Sequence, residues 1–154
     1  MKITSPKILK AFLDENNLRV KKSASQNFLI DENIVNKVIE EADLEEDDLV
    51  VDIGAGPGAF TEALLDRGCR VLAIERDQKL AELLWRFKKK ESSLEVLASD
   101  VLLEPLEEIL DAKLQKGKQA KIVSNLPFHI TAPILTRLLP LHEKLSDIVV
   151  IVQK

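Results

Sequence analysis

Apolar and polar residues follow one another along this chain in two different rhythms. Short apolar runs of strand length are separated by longer stretches in which apolar residues recur at helical spacing. The predicted strands are "DLVVDIG", "CRVLAIE", "LEVLAS", "AKIVSN" and "DIVVIV". The predicted helices are residues 5–16, 31–42, 102–115 and 130–141, with "GAFTEALLDRG" and "DQKLAELLWRFKKK", whose leucine stripe and Trp85 are expected in the core. This alternation predicts an α/β fold with a parallel sheet and helices on both faces.

Composition narrows the class of protein. The 154 residues are 45% hydrophobic and 31% charged, as expected for one globular domain with a substantial core. The apolar runs are too short to span a bilayer and no signal peptide is recognised, so a cytoplasmic location and no membrane partner are expected. One cysteine and two histidines make a zinc site implausible, and no metal is expected.

Charge is unevenly distributed. Residues 1–24 hold six basic residues against two acidic ones, a balance of +4, which leaves −8 for the rest of a chain whose net charge is −4. Such a basic arm can contact phosphates. A solvated helix face explains the same pattern equally well, and both interpretations stay open here.

Polar residues stand at the ends of four consecutive predicted strands. They are Asp52 with Gly54, Gly56 and Gly58, then Glu75, Asp100 and Asn125. In open α/β sheets, ligands bind outside the carboxyl ends of the strands, where strand order reverses. Buried strand ends have no structural need for carboxylates, so these residues are predicted to form one ligand site.

The residue types indicate a cationic nucleoside. The turn has the spacing G-x-G-x-G, unlike the G-x-G-x-x-G of dinucleotide sites, and Asp52 beside it would repel a pyrophosphate. Glu75 can accept both ribose hydroxyls, and Asp100 can accept from an adenine amine. Each acid taken singly is as well explained by a helix cap or a surface charge. Together they fit S-adenosylmethionine.

The stretch "SNLPFHIT" suits an exocyclic amine. The side-chain oxygen of Asn125 and the carbonyl of Leu126 can hold its two hydrogens and support positive charge that develops during attack. Pro127 fixes the backbone, and Phe128 offers a face on which an extruded base can stack. The alternative is a plain strand-to-helix connection with Phe128 in the core.

Four stretches give the chain a resemblance to the rRNA adenine dimethyltransferase family. They are "SQNFLID", "DIGAGPGAFTE", "AIERD" and "NLPFHIT". The resemblance implies a Rossmann-like S-adenosylmethionine-dependent methyltransferase fold and methylation of the N6 amine of adenosine in rRNA. It also implies that Asn27 and Leu29 of the "QNFL" segment close over the cofactor, with Gly54 under its methionyl part and Asn125 between cofactor and target.

Departures from the family pattern leave the branch to be decided. Ser25 is common in the large-subunit branch that confers antibiotic resistance, whereas "NFLID" followed by "ENIV" is similar to the branch that dimethylates two adjacent adenosines near the 3′ end of 16S rRNA in the small-subunit precursor. The small-subunit branch is expected. The alternatives are the 23S branch, a small-molecule or protein methyltransferase, and a non-enzymatic ribosome-assembly factor.

The resemblance also predicts how the chain is organised. Residues 1–45 are expected to form a basic N-terminal arm with helices and the closing segment, and residues 46–154 an incomplete methyltransferase core. The family continues beyond a fifth strand into a helical RNA-binding domain, so truncation and weak activity are expected. The fifth strand is expected to expose an edge through which the fragment can self-associate.

Overall fold

One parallel sheet organises the chain. The computed structural model describes residues 2–19, 28, 31–91 and 93–152. The strands are β1 (Leu49–Ile53), β2 (Arg70–Ile74), β3 (Leu94–Leu97), β4 (Ala120–Asn125) and β5 (Leu145–Ile151). All pairings are parallel, in the order β3-β2-β1-β4-β5. The predicted α/β class is confirmed.

Six α-helices within the described residues connect or precede the strands. They are α1 (Pro6–Glu15), α2 (Glu32–Glu41), α3 (Ala59–Asp66), α4 (Gln78–Leu84), α5 (Leu106–Lys113) and α6 (Thr131–Leu138). Their beginnings follow from local chemistry. Asp31 and Asp77 accept backbone N–H bonds and cap α2 and α4, while Pro6 begins α1 with a preset φ. No helix of these described ranges is long and apolar enough to cross a membrane.

The core lies on both faces of the sheet because successive strand residues point to opposite sides. Val51 and Ile53 join a cluster completed by α5 and α6. Val50 joins a second cluster completed by α2 and α3. Each buried aliphatic side chain contributes about 1.5–3 kcal/mol, so this double layer holds the strand ends in fixed positions.

The helix predicted over "DQKLAELLWRFKKK" is shorter in the structure than the sequence indicates. The prediction that Trp85 lies in the core is wrong. Helix α4 ends at Leu84 and a 3-10 turn continues over Trp85–Phe87. A change from 3.6 to about three residues per turn rotates the following side chains off the buried stripe. Trp85 is therefore 43% exposed, whereas Leu84 is fully buried.

The order of the strands reverses between β1 and β4. From β1 the chain proceeds outward through β2 to β3, and then crosses back to place β4 on the other side of β1. Backbone pairing of β1 with β4 is found at Val50–Lys121 and Val51–Ile122, while β1 pairs with β2 as far as Ile53–Ile74. The ladder therefore ends early on the side where a ligand cleft is expected.

A serine hydroxyl takes over where that ladder ends. The Ile53 N–H donates to Ser124 Oγ at 2.7 Å, and the hydroxyl lies 3.5 Å from the Val51 carbonyl, to which it donates. Ser124 is fully buried, so water cannot reach the Ile53 N–H at this position. The serine hydroxyl therefore takes the place of the missing backbone acceptor.

Candidate functional site

A cavity of about 600 Å³ opens at the carboxyl edge of the sheet, within the usual range for small-molecule sites of roughly 300–1,000 Å³. It brings together most of the residues that the sequence singled out. Those that line it are Asp52, Gly54, Gly56, Glu75, Asp100, Asn125, Leu126, Pro127 and Phe128. Gly58 does not line it, and Asn27 and Leu29 lie outside the described residues.

Two glycines of the turn after β1 serve different purposes. Gly54 has φ +70°, and a Cβ there would lie 3.0 Å from the ring of Pro127, so the turn and the "NLPF" loop meet without room for a side chain. Gly58 has φ +100°, and a Cβ there would lie 2.5 Å from Phe87 and 2.8 Å from Leu84. Gly58 thus allows the start of α3 to pack against the segment that contains α4.

Glu75 ties the turn after β1 to the end of β2. Its Oε2 accepts from the Gly56 N–H at 2.7 Å, and its Oε1 accepts from the Asp77 N–H at 2.9 Å. Burial raises the pKa of this carboxyl, while the backbone N–H groups act in the opposite direction. Each carboxylate oxygen can accept more than one bond, so the group is held in place and can still receive ligand hydroxyls.

Asp52 is the most deeply buried acid of the cavity. Its side chain is 1% exposed, and Oδ2 accepts from Thr61 Oγ1 of α3 at 2.7 Å. Burial raises the pKa of Asp52 to about 7, the Thr61 hydrogen bond lowers it, and the charge of Glu75 raises it. A buried acid that loses its proton near neutral pH is stabilised by any cationic group placed beside it.

Asp100 has the helix-capping role that its position suggested, as well as a place in the cavity. Its Oδ1 accepts from the Leu102 N–H at 3.0 Å, at the start of a 3-10 turn over Val101–Leu103. The same residue lines the cavity beyond the end of β3. The two interpretations are therefore compatible, because one carboxylate oxygen is sufficient for the cap.

The "NLPF" loop is fixed on both sides of the Leu126 carbonyl. The Leu126 N–H donates to Ile151 O of β5 at 3.1 Å. The Pro127 carbonyl accepts from the Ile130 N–H at 3.2 Å and from Thr131 Oγ1 at 3.1 Å. Because these groups are engaged and Pro127 has φ −57°, the intervening carbonyl has little freedom to turn.

Phe128 lies at the rim and not in the core. It is 41% exposed, although the His129 ring lies beside it with centroids 4.0 Å apart. An aromatic ring that is held in place at a cavity mouth is available for stacking on a flat ligand. The alternative of a buried connection is wrong for Phe128, whereas Leu126 is 3% exposed and does pack in the core.

Several cavity residues are not predicted by the sequence pattern. Phe28 of the "QNFL" segment lies against Gly56, where a Cβ would come within 3.2 Å of its ring. A signal for Phe28 exists, since the segment around it is one of the four that carry the family resemblance. Ser99 lines the cavity beside Asp100 and carries no such signal. Arg19, Arg76 and Lys79 place positive charge around the same cavity.

Arg86 is a further residue without a sequence signal, although it supports the glycine turn. Its Nη2 donates to the Pro57 carbonyl at 2.6 Å, and its guanidinium lies over the rings of Phe12 and Phe87 at 4.4 and 4.0 Å. Burial lowers the pKa of Arg86 to about 10, which keeps it charged at neutral pH. This side chain links α1 to the turn.

Sequence comparisons place these features in a known family. The pattern of the family described as "Ribosomal RNA adenine dimethylase" matches residues 17–154. "Ribosomal RNA small subunit methyltransferase A" of Protochlamydia amoebophila is 39% identical over all of this chain and 54% of its own length. The protein of that name from Alkaliphilus metalliredigens is 36% identical over 99% of this chain and 53% of its length. The chain thus spans about half the length of the curated relatives it matches.

Comparisons of structure confirm the Rossmann-like methyltransferase fold. The 23S rRNA methyltransferase ErmE superposes with a TM-score of 0.67 at 26% identity, over 82% of this chain and 48% of that one. A dimethyladenosine transferase from Plasmodium falciparum gives 0.64 at 23% identity, over 80% and 42%. An RNA methyltransferase from Salinibacter ruber, solved with S-adenosyl-L-homocysteine, gives 0.53 at 23% identity, over 75% and 69%.

The buried acid predicts an unusual dependence of stability on pH. Because the pKa of Asp52 rises to about 7 on folding, the folded chain binds this proton more tightly than the unfolded chain. The resulting stability is present below about pH 4 and is lost as the pH rises to about 7. Asp52→Asn keeps an acceptor for Thr61 and removes the titration. Relative to this variant, wild type should lose up to about 1.4 kcal/mol per pH unit in that window.

Urea unfolding at several pH values measures this difference. Asp14→Asn, which changes an exposed carboxylate on α1, is the control and should follow wild type. Parallel curves for wild type and Asp52→Asn would contradict the burial argument.

Proposed function

The chain belongs to the ribosomal RNA adenine dimethylase family, and we propose that it binds S-adenosylmethionine in the cavity and directs methyl transfer to the N6 amine of adenosine in rRNA. The observation that carries the proposal is the convergence of nine predicted site residues on one cavity, one of which, Phe128, is an exposed aromatic ring. Because the chain spans about half the length of the curated relatives it matches, methyl transfer by the whole protein is proposed from the family and the cavity together.

The donor and acceptor groups of the cavity fit the cofactor. Glu75 is held by two backbone N–H groups and can accept from ribose hydroxyls, and Asp100 can accept from the adenine amine. Asp52 supplies negative charge toward the positively charged methionyl part. Gly54 has no Cβ, so the turn after β1 can lie directly against Pro127 while its backbone lines the cavity.

Four other predicted cofactor-binding residues have supporting roles in this proposal. Gly56 orients Glu75 through its N–H and lies against Phe28. Gly58 contributes indirectly, by allowing α3 to begin close to Phe87. We propose that Asn27 and Leu29 close over the cofactor, as the family resemblance implies.

The chain's contribution to the reaction is to hold and activate a poor nucleophile. The lone pair of adenine's amine is delocalised into the ring, so the amine must become pyramidal before it can attack. Asn125 Oδ1 and the Leu126 carbonyl accept its two hydrogens and stabilise the charge that develops on nitrogen. The bound cofactor supplies an activated methyl group, so alignment provides most of the remaining acceleration. The methylated nitrogen sheds its proton readily, and no general base is required.

The target base must leave its stack to reach these acceptors. Phe128 can stack on the extruded base, while the hydrogen bonds around Pro127 keep the loop from shifting as the base enters. Positive residues of the N-terminal segment, residues 1–45, and of the cavity rim, including Arg19, can contact phosphates.

The small-subunit branch is the favoured substrate class. Relatives 36–39% identical over nearly the whole chain carry small-subunit names, and these support dimethylation of two adjacent adenosines near the 3′ end of 16S rRNA in the small-subunit precursor. A 23S substrate is the second candidate, because ErmE superposes with a TM-score of 0.67. We propose a cytoplasmic location for the reaction with either substrate. A non-enzymatic assembly factor would have no need for the acids that converge on the cavity.

Glu75 provides a direct test of cofactor binding. Wild type should bind S-adenosylmethionine in isothermal titration calorimetry, and Glu75→Ala should bind at least about tenfold more weakly, since it removes charge-assisted bonds worth about 1.5–3 kcal/mol each. Glu75→Gln keeps the side chain's size and should be intermediate. Glu82→Ala, an exposed change on α4, is the control. No binding by wild type would refute the proposal, and an unaffected Glu75→Ala would refute the role of Glu75.

Phe128 tests the base platform separately from the cofactor. Phe128→Ala should weaken binding of a single-stranded, adenosine-containing RNA by about five- to a hundredfold, the loss expected for one stacking contact, without changing cofactor affinity. Trp85→Ala removes an aromatic residue of similar exposure, 43% against 41%, that does not line the cavity. Fluorescence anisotropy of the RNA in the presence of S-adenosylhomocysteine gives the RNA affinity of each variant, and calorimetry gives its cofactor affinity. Equal losses in the two variants would contradict a specific platform.

We also propose that this chain self-associates through β5. The strand pairs with β4 on one side, and within the described sheet it has no second neighbour. Its residues from Ile148 to Ile151 are apolar and half-buried, which makes the edge a template for another strand.

Light scattering over a range of protein concentrations tests this edge. Wild type should show growing mass with concentration, and Ile151→Lys should suppress it because a charge would have to be buried. Ile34→Lys, at an exposed position on α2, should behave as wild type. A monomer at every concentration would rule out the association.

A further inference from the structure

We infer that the Ser99 hydroxyl is an additional ligand contact of the cavity and binds the adenine ring of the cofactor. The inference rests on the proposed function, because it adds a residue to the same site. It starts from one irregularity. Of the side chains that the structure describes, Ser99 is the one with a buried oxygen that has no hydrogen-bond partner, and this residue lines the cavity.

Other buried hydroxyls near the site are satisfied. Thr61 Oγ1 donates to Asp52 at 2.7 Å, and Ser124 Oγ accepts from the Ile53 N–H at 2.7 Å. A buried hydroxyl without a partner loses its bonds to water and gains nothing in return. Alanine would fill the same position without that loss, so the Ser99 hydroxyl destabilises the ligand-free protein. A bound ligand would supply the missing hydrogen-bond partner.

The position of Ser99 indicates which part of the ligand it meets. It directly precedes Asp100 beyond the end of β3, and both residues line the cavity. A serine side chain has three staggered rotamers, so the hydroxyl can turn toward a ligand in the cavity at low cost. The neighbouring Asp100 is already fixed by the Leu102 N–H at 3.0 Å, which gives the pair one rigid member and one adjustable member.

The two side chains are chemically complementary. An ionised carboxylate only accepts hydrogen bonds, whereas a hydroxyl can donate one. The edge of adenine presents an amine that donates beside ring nitrogens that accept. Asp100 can therefore take the amine while Ser99 donates to a ring nitrogen. Such a pair distinguishes adenine from a purine that carries a carbonyl at the same position.

Calorimetry and thermal unfolding of four proteins test the assignment. They are wild type, Ser99→Ala, Ser99→Cys and Ser93→Ala. Ser93 is the control because its Oγ accepts from the Lys90 N–H at 3.0 Å and donates to the Lys90 carbonyl at 2.9 Å, outside the cavity. The ligands are S-adenosylmethionine and 5′-methylthioadenosine, which keeps the adenosyl group and lacks the amino-acid part.

Ser99→Ala should bind both ligands about three- to tenfold more weakly, the loss expected for one hydrogen bond, and should unfold at the same or a higher temperature than wild type. Ser99→Cys should bind as weakly as Ser99→Ala, because it restores volume but not a strong donor. Ser93→Ala should show the reverse pattern, with lower stability and unchanged affinity.

Three results would overturn the inference. Unchanged affinity of Ser99→Ala would show that the hydroxyl does not meet the ligand. A clear loss of stability in that variant would show that the hydroxyl has a partner within the protein. A loss of affinity for S-adenosylmethionine alone, with unchanged affinity for 5′-methylthioadenosine, would show that the hydroxyl does not contact adenine. Absence of binding by wild type would instead mark the failure of the proposed function.

Discussion

The early end of the ladder between β1 and β4 is the constraint on which the site depends. Had backbone pairing continued to Ile53, the fourth strand would close the edge where the cavity lies. The fully buried Ser124 accepts the Ile53 N–H, so the strands remain joined while their ends are free to lead into different loops. The glycine turn follows one strand and the "NLPF" loop follows the other. The cleft is thus a property of the sheet, and the loops only line it.

Acidic groups at the floor of this cleft are stabilised incompletely by the protein. Asp52 has the Thr61 hydroxyl, and Glu75 has two backbone N–H groups, but burial raises the pKa of both carboxyls. Two acids that are hard to ionise together form a poor structural pair and a good receptor for a positive ligand. The apolar core on the two faces of the sheet, where Leu64, Leu84 and Ile134 are fully buried, compensates for the lower stability at this edge.

Regular patterns make most of the fold predictable. Strand-length runs and helical spacing locate all five strands, and the rule for strand ends predicts that Glu75 and Asn125 share one cavity. Trp85 is misplaced because the change to a 3-10 turn has no clear signature in sequence. Ser124 has a hydrogen-bond partner in a distant segment and Ser99 has none among the described residues, and a serine near the end of a strand looks the same in sequence in either case. Gly58 is predicted to bind the cofactor, but its contact is with Phe87, and the sequence alone does not show that packing contact.

The contact between Gly54 and Pro127 has a consequence for protein engineering. A Cβ on the glycine would lie 3.0 Å from the proline ring, so neither loop can gain bulk while the other stays as it is. In the proposed function, the glycine turn belongs to the half of the cleft that would face the methyl donor, and the "NLPF" loop to the half that would face the acceptor. Redesign for a different nucleobase, or for a larger alkyl donor, therefore has to vary both loops in the same library. Such coupled pairs also limit the single-step routes by which homologues can drift to new substrates.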